Sequence, residues 1–199
     1  MPFSDLVPAT LAVVLAYLLG SIPFGLVLTR LFKAGDLRAI GSGNIGATNV
    51  LRTGRKDLAA ATLLLDAAKG LVAVLVAERL APGAGVAAAF AAFLGHIAPV
   101  WLKFRGGKGV ATFLGALYAL NWGVGLLSSA IWLAAAWLWR FSSLSALLAS
   151  LAAPIALFVL GHETQAFVVA AMAALLWWKH GENIERLRAG SEPKIGQKS

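Results

Sequence analysis

Long apolar runs separated by short polar stretches dominate the sequence. A transmembrane helix needs about 20 apolar residues to cross about 30 Å of hydrocarbon. Five runs reach or approach this length, and they cover residues 6–31, 58–77, 85–102, 122–139 and 144–160. Two shorter runs, 110–120 and 166–178, barely reach across at about 1.5 Å per helical residue. The pattern predicts an all-α, polytopic membrane bundle of seven transmembrane helices, in which the two short helices are complete, broken, tilted or partly re-entrant.

The composition favours a membrane protein over a soluble one. Of the 199 residues, 59% are hydrophobic and 13% are charged, and the mean hydropathy is +0.79. A soluble globule of this size needs more polar residues to cover its surface. Residues 1–5 carry no positive charge ahead of the first apolar run, so we predict that this run is a span and not a cleavable signal. We expect one transmembrane domain over residues 1–199.

The positive charges predict the orientation of the bundle. Of the 17 Lys and Arg residues, 15 follow the first, third, fifth or seventh run. By the positive-inside rule these stretches are cytoplasmic, which places the amino terminus outside and the carboxyl terminus inside. If both short runs failed to cross, a five-span bundle would keep the same sidedness. The net charge of +8 then reflects topology, anionic lipid and anionic substrates, and no nucleic-acid partner is needed.

A glycine-rich loop at residues 41–52 is the first polar cluster on this face. Its glycines allow the backbone to approach a ligand closely, and successive N–H groups in such a loop bind anions. Arg52 adds a planar cation suited to phosphate or carboxylate. The spacing of Gly41, Gly43 and Gly46 matches a dinucleotide-binding fingerprint, but that fingerprint requires a preceding strand, and an apolar span stands there. The loop also carries neutral hydrogen-bonding side chains: Ser42, Asn44, Thr48 and Asn49.

Two further polar clusters follow on the same face. The stretch Gly106-Gly107-Lys108-Gly109 leads into the predicted helix 110–120, where free N–H groups and the helix dipole favour an anion. It is not a Walker A loop, because no Ser or Thr follows Lys108. After the last run, His180 and Asn183 are spaced to share a helix face. Together the three clusters favour phosphate binding over three solvated turns, and they make His96 a candidate contact instead of a packed histidine.

Three other features have two interpretations each. Asp66 and Lys69 lie at i, i+3 spacing in an apolar run, where they can neutralise each other as the base of a polar cavity or as a structural ion pair. Residues 20–25 contain Pro23 and two glycines, which predicts a kink for close packing more readily than a functional break. Ser142, Ser143 and Ser145 either cap the sixth span or support the site.

The residue inventory excludes several kinds of chemistry. The chain has no Cys, which excludes disulfides, thiolate metal sites and a thioester nucleophile. Its three His residues are not at metal-ligand spacing, so we predict no metal site and no cofactor.

The polar clusters resemble the three cytoplasmic motifs of the bacterial acyl-phosphate:glycerol-3-phosphate acyltransferase family. The resemblance is carried by residues 42–52, 95–112 and 180–194, and it extends to residues 20–25 and 66–70. It implies transfer of a fatty acyl group from acyl phosphate to glycerol 3-phosphate, giving lysophosphatidic acid and inorganic phosphate in phospholipid synthesis. The implied location is the bacterial inner membrane with a cytoplasmic active site. The implied partners are the two substrates and membrane lipid, and we expect a monomer.

The resemblance also implies the site residues. Ser42, Arg52, Lys108, His180 and Asn183 are the implied catalytic residues. Within this set, Arg52 and Lys108 would bind phosphate charge, while Ser42 and Asn183 would orient hydroxyl and phosphate groups. Substrate contacts are expected from Gly43, Asn44, Gly46, Thr48, Asn49, His96, Gly106, Gly107 and Gly109. We expect direct transfer without a covalent acyl-enzyme, because a mixed anhydride is already activated and the departing phosphate can accept the proton.

One alternative belongs to another class of protein. The charged Asp66 and Lys69 within the membrane would also suit a small organic-anion transporter. Against a transporter, the polar residues converge on one face and no paired broken helices mark inverted repeats. The His and Asp dyad of the commoner glycerolipid acyltransferases is absent, because none of His96, His162 and His180 has an Asp five positions on.

Overall fold

A computed structural model describes residues 3–197, with side chains from residue 6 onward. This part of the chain is all helical, as predicted, and contains no strand. A 3-10 turn at Val100–Leu102 extends α5. The α-helices are α1 (Phe3–Gly20), α2 (Phe24–Leu31), α3 (Ala47–Leu51), α4 (Lys56–Leu80), α5 (Gly85–Ile97), α6 (Val110–Leu120), α7 (Trp122–Trp139), α8 (Ser142–Val159), α9 (Glu163–Lys179) and α10 (Gly181–Arg188).

The predicted seven runs all form helices, but length alone identifies fewer spans. Within residues 3–197, four helical segments are long and apolar enough to cross a membrane: Lys56–Leu80, Gly85–Leu102, Trp122–Trp139 and Ser142–Val159. The count rises to five if the bent pair α1 and α2 is one span. Helix α6 has 11 residues and is therefore only about 16 Å long. The finer prediction of seven complete crossings is not decided by helix length.

The first apolar run is broken where the sequence predicts a kink. Helices α1 and α2 meet at an angle of 42°, because Pro23 cannot donate a helical hydrogen bond. At the break, the Ile22 carbonyl accepts hydrogen bonds from the Phe24 amide at 3.1 Å and from Lys69 Nζ at 2.7 Å. A basic residue of α4 therefore stabilises the break in the first span.

Small residues bring the central helices into backbone contact. A Cβ at Gly95 of α5 would lie 2.3 Å from the Tyr17 carbonyl oxygen of α1. A Cβ at Gly115 of α6 would lie 1.9 Å from the Ala67 carbonyl oxygen of α4. Such contacts let helices pack closely without an apolar interface of large side chains. They fix α1, α4, α5 and α6 relative to one another, and so fix the ends of these helices around the site.

The segment between α2 and α4, which contains the glycine-rich loop, is anchored by its own buried apolar residues. Leu37, Ile45 and Val50 are fully buried, and they pack with Leu26 and Leu58 in one hydrophobic cluster. Burial of such side chains stabilises by about 1.5 to 3 kcal/mol each. The loop between α2 and α4 is therefore a folded part of the protein and not a solvated linker.

Candidate active site

The three predicted polar clusters meet at one cavity of about 830 Å³. All five predicted catalytic residues line this cavity: Ser42, Arg52, Lys108, His180 and Asn183. Most of the predicted contact residues also line it, namely Asn44, Gly46, Thr48, Asn49, His96 and Gly109. Gly43, Gly106 and Gly107 do not.

The first loop is shaped by its own amide side chains. Asn49 Nδ2 donates to the carbonyls of Leu37 at 2.9 Å and Asn44 at 2.8 Å, and Asn49 Oδ1 lies 3.5 Å from an Arg52 guanidinium nitrogen. Asn44 Oδ1 accepts from the Gly46 amide at 3.3 Å. These side chains therefore hold the loop and steer Arg52, which differs from the predicted role of Asn49 as a free donor to the ligand.

Glycine is required where Arg52 crosses the loop. Gly41 has a φ of +54°, which L side chains rarely adopt. A Cβ at this position would also lie 2.4 Å from Arg52 Nη1. Gly41 therefore makes room for the guanidinium on the cavity wall.

Arg38 joins the first loop to the second. Its guanidinium donates to the Gly43 carbonyl at 3.2 Å and to the Arg105 carbonyl. Arg38 thus links the Gly43 carbonyl to the segment before Lys108, whereas the neighbouring Ser42 and Asn44 line the cavity. Gly43 itself does not line the cavity, and its contact with substrate stays a prediction.

The second loop uses its glycine amides within the protein. The Gly106 amide donates to the Ile97 carbonyl at 3.2 Å, and the Gly107 amide donates to the His96 carbonyl at 3.1 Å. Both amides therefore already have backbone acceptors, and their contact with phosphate stays a prediction. The cavity is lined instead by Gly109, Val110 and Ala111. At this start of α6, the first amides have no intrahelical acceptor and the helix dipole favours an anion.

The third cluster is organised by the buried carboxylate of Glu192. Glu192 Oε1 accepts from Ser143 Oγ and from Asn183 Nδ2, both at 2.6 Å. Glu192 Oε2 accepts from Arg186 Nε at 2.7 Å. Burial raises the pKa of Glu192, but these three donors outweigh burial and hold the pKa below its ordinary value. Glu192 is therefore ionised and fixes three side chains around the cavity.

Lys108 is held by this cluster through Asn183. Lys108 Nζ donates to Asn183 Oδ1, so the Asn183 amide is engaged by Lys108 on one side and by Glu192 on the other. Burial, together with the charges of Arg186 and Arg52, lowers the pKa of Lys108 to about 8. The ammonium group is thus charged at neutral pH but is poorly solvated, which strengthens its attraction for phosphate. Asn183 thus contacts Lys108 and also lines the cavity, and its predicted role of orienting substrate stays a prediction.

His180 is neutral, and one of its two ring nitrogens already has a hydrogen-bond partner in the protein. Its Nδ1 lies 2.8 Å from the Leu176 carbonyl oxygen, which can only accept, so Nδ1 carries the proton of the neutral ring. Burial lowers the pKa of His180 to about 4. The remaining nitrogen, Nε2, is therefore a hydrogen-bond acceptor, as a substrate hydroxyl requires.

The ion pair predicted inside the membrane is present. Lys69 Nζ lies 2.7 Å from Asp66 Oδ1, with both side chains 3% exposed. Asp66 also lies on the cavity wall, so both interpretations of the pair hold. His96 Nδ1 lies 3.7 Å from Asp66 Oδ1, which is too long for a hydrogen bond.

Comparisons with known proteins identify the family. A family model described as Glycerol-3-phosphate acyltransferase matches residues 10–190. The chain belongs to this family. The chain is 60% identical over 190 residues to the glycerol-3-phosphate acyltransferase of Nitrobacter winogradskyi, and the match covers 95% of this chain and 97% of the relative. The enzyme of Agrobacterium fabrum is 60% identical over 189 residues, with 94% of this chain and 92% of the relative covered.

Solved structures agree with the assignment. The chain superposes with a TM-score of 0.90 and 40% identity on the glycerol 3-phosphate form of PlsY (YgiH), an integral membrane glycerol 3-phosphate acyltransferase, covering 94% of this chain and 96% of that one. The TM-score is 0.87 and the identity 39% for the lysophosphatidic acid form. The predicted family is thus confirmed, and the protein is an integral membrane acyltransferase. The transporter alternative gains no support.

The acyltransferase site contains residues that sequence reasoning missed as site residues. Glu192 and Arg186 belong to the tail cluster, but nothing in their spacing predicts that one carboxylate collects donors from α8 and α10. Ser143 was expected either to cap α8 or to support the site, and its hydroxyl donates to Glu192 Oε1. The N-cap position is Phe141, without a side-chain hydrogen bond. Ser142 Oγ also reaches this region, at 3.2 Å from Thr48 Oγ1.

An apolar arm extends the acyltransferase cavity into the bundle. It runs between α4, α6 and α7 and is lined by Leu63, Leu114, Trp132 and Leu133, with Ser129 as a polar member. Trp132 is seven residues before Trp139, the last residue of α7, and therefore lies about 10 Å from the end of this helix. Leu63 and Leu133 are 48% and 63% exposed, so this arm opens sideways between α4 and α7. The cavity thus joins a cationic end to a lipid-facing apolar end.

Proposed function

We propose that this acyltransferase moves a fatty acyl group from acyl phosphate to glycerol 3-phosphate, forming lysophosphatidic acid and inorganic phosphate. The observation that carries the proposal is the two-ended cavity, because a molecule with a phosphate head and an acyl tail matches both ends at once. The related crystal structures support the acceptor and the product, since they are described as glycerol 3-phosphate and lysophosphatidic acid forms. The donor rests on the resemblance in the sequence motifs.

The reaction is a direct acyl transfer. The primary hydroxyl oxygen of glycerol 3-phosphate attacks the acyl carbonyl carbon, and the bond from this carbon to the phosphate oxygen breaks. The hydroxyl proton ends on the released phosphate, so atoms and charge balance without a protein nucleophile. Negative charge grows on the departing phosphate, and preorganised cations at that point contribute most to the rate.

The side chains have separate roles in this proposal. Arg52 and Lys108 bind the phosphate groups, with the first amides of α6 beside them. His180 Nε2 accepts a hydrogen bond from a hydroxyl of glycerol 3-phosphate, and Ser42 donates to substrate oxygen. Asn183 places Lys108. Leu63, Leu114 and Leu133 line the path of the acyl chain towards the lipid.

We also propose a topology in which the cavity opens at the cytoplasmic face of the inner membrane. The amino terminus is then outside, the seven apolar helical segments form one domain over residues 1–199, and the protein acts as a monomer. The positive-inside distribution supports this orientation. Because the chain has no native Cys, His162→Cys and Ser191→Cys can be labelled singly in intact cells with an impermeant thiol reagent. Labelling at position 162 alone is expected, and labelling at position 191 alone would reverse the topology.

Turnover by purified protein in detergent tests the function. We expect lysophosphatidic acid and phosphate from acyl phosphate with glycerol 3-phosphate, and little product from acyl coenzyme A. Arg52→Ala and Lys108→Ala should each lower kcat/KM by about 100-fold or more, whereas Arg30→Ala, an exposed cation on the same face, should leave it unchanged. Efficient use of acyl coenzyme A would overturn the donor assignment. The absence of turnover with either donor would overturn the proposed reaction.

A further inference from the structure

The cluster formed by Asp66, Lys69 and His96 has no assigned role in the proposed reaction, although Asp66 and His96 line the cavity. Its three residues are 2%, 5% and 4% exposed. Ionisable groups inside a membrane-spanning bundle are costly to bury, and they are retained where they do something that apolar residues cannot. The contacts of the cluster indicate what that is.

On one side, the cluster is fixed to two helical segments. Lys69 Nζ contacts Asp66 Oδ1 at 2.7 Å and donates to the Ile22 carbonyl at 2.7 Å. It also lies 5.7 Å from the centre of the Phe24 ring. Lys69 therefore links Asp66 on α4 to the break between α1 and α2. If α4 moved relative to this break, the buried Lys69 ammonium group would lose its contact with the Ile22 carbonyl.

On the other side, His96 contacts the loop that carries Lys108. The His96 carbonyl accepts from the Gly107 amide at 3.1 Å. A Cβ added to Gly107 would lie 2.3 Å from His96 Nε2, and the nearest atoms around it all belong to the His96 ring. The backbone and the ring of one buried residue thus both hold Gly107, which directly precedes Lys108.

We propose that His96 is a positioning residue for Lys108. The imidazole limits how far the Gly106 to Gly107 segment can move towards α5, and the His96 carbonyl fixes the direction of the Gly107 amide. Lys108 Nζ is thereby kept beside Asn183 and the cavity. The inference rests on the phosphate-binding role of Lys108 in the proposed function.

A steric exchange tests the contact between His96 and Gly107. Gly107 has no positive φ, so an Ala side chain there is opposed by the His96 ring and not by backbone strain. Gly107→Ala is expected to lower kcat by about 10-fold or more. Adding His96→Ala to Gly107→Ala should remove the clash and raise kcat again, to the level of His96→Ala alone. A double variant that shows the product of the two single losses would overturn the contact.

A double-mutant cycle with Lys108→Arg tests whether His96 acts through Lys108. If it does, His96→Ala should lower kcat about 10-fold in the wild-type background and less than about threefold in the Lys108→Arg background, with the KM for glycerol 3-phosphate little changed. Equal losses in both backgrounds, or a loss confined to KM, would overturn the positioning role. His162→Ala, an exposed histidine in the loop between α8 and α9, is the matched control.

Two measures keep the outcomes separate. All variants are compared as monodisperse protein in detergent, and His96→Asn, which has no atom at the position of Nε2, replaces His96→Ala in both experiments if His96→Ala does not yield folded protein. Wild-type protein that turns over acyl phosphate while the cycle is additive would reject only this inference. Wild-type protein without turnover would reject the proposed function itself.

Discussion

Glu192 and Asp66 are both buried carboxylates, but their partners differ. Glu192 lies at the cavity rim and accepts three hydrogen bonds at 2.6 to 2.7 Å. Asp66 lies within α4 and has one close cation, Lys69 at 2.7 Å, with His96 at 3.7 Å. The first carboxylate contacts side chains of α8 and α10, whereas the second pairs within α4 with Lys69, whose ammonium group also donates to the Ile22 carbonyl between α1 and α2.

This difference indicates that the two carboxylates have different structural roles. A carboxylate with three donors fixes the ends of neighbouring polar side chains, which suits a site where atoms must be held in a productive geometry. A carboxylate with one cation stabilises the positions of the helices that carry it, provided that the cation stays. We therefore expect changes at Asp66 to act first on folding, and changes at Glu192 to act first on catalysis.

The largest expected effect is the loss of one partner of the membrane ion pair. Asp66→Asn or Lys69→Met alone leaves a buried charge without its partner, which costs about 3 to 5 kcal/mol. The double variant removes both charges and should be more stable than either single variant. The midpoint of thermal unfolding in detergent measures this order. If the decrease in the unfolding midpoint of the double variant equals the sum of the two single decreases, the result would contradict an ion pair.

A smaller loss of stability with a large loss of activity is expected for Glu192→Gln. Loss of the negative charge weakens the Arg186, Asn183 and Ser143 contacts, at a cost of about 1.5 to 3 kcal/mol for a charged hydrogen bond. Because the folded pKa of Glu192 is lowered, its stabilisation is present above the ordinary carboxylate pKa and is lost as the pH falls through the folded value.

Two measurements separate Glu192→Gln from a general defect. The midpoint of thermal unfolding of the wild-type protein should fall as the pH is lowered from about 5. Glu192→Gln should lack this part of the pH dependence. The exposed Glu185→Gln should behave as wild type. An active Glu192→Gln protein, with kcat within about threefold of wild type, would show that the rim does not depend on this carboxylate.

The smallest effect concerns the protonation of Lys108. Its pKa is lowered to about 8, and the charged form binds phosphate, so kcat/KM should be constant below this pH. Above it, kcat/KM should fall by up to about tenfold per pH unit as the free enzyme loses the proton. In Lys108→Arg, this fall in kcat/KM should begin at a higher pH, because the guanidinium stays protonated. If kcat/KM of Lys108→Arg falls over the same pH range as in the wild-type protein, the titrating group is not Lys108.

The sequence was most informative where a physical rule acts over many residues. Hydrophobic length predicted all seven helical segments, and Pro23 predicted the break in the first one. The i, i+3 spacing predicted the Asp66 and Lys69 pair. Arg52, Lys108 and His180 were found because cations, glycines and a histidine recur on one predicted face.

The contacts between segments could not be predicted from local sequence. The Gly106 and Gly107 amides looked free for phosphate, but the end of α5 supplies their acceptors, and this depends on how α5 meets the loop. Glu192 looked like one charge in a polar tail, and its role depends on Ser143, 49 residues away in the chain. Pairings across such distances are set by helix packing, which a single sequence does not contain.

The central claim is direct transfer from acyl phosphate to glycerol 3-phosphate at the rim of the cavity. The most direct test gives purified protein acyl phosphate labelled in the acyl chain, first alone and then with glycerol 3-phosphate, and follows the label in lipid and in denatured protein. We predict no label on the protein in either case, and label in lysophosphatidic acid only when glycerol 3-phosphate is present. Stoichiometric label on the protein without glycerol 3-phosphate, abolished by Ser42→Ala, would contradict the claim and indicate a covalent acyl-enzyme.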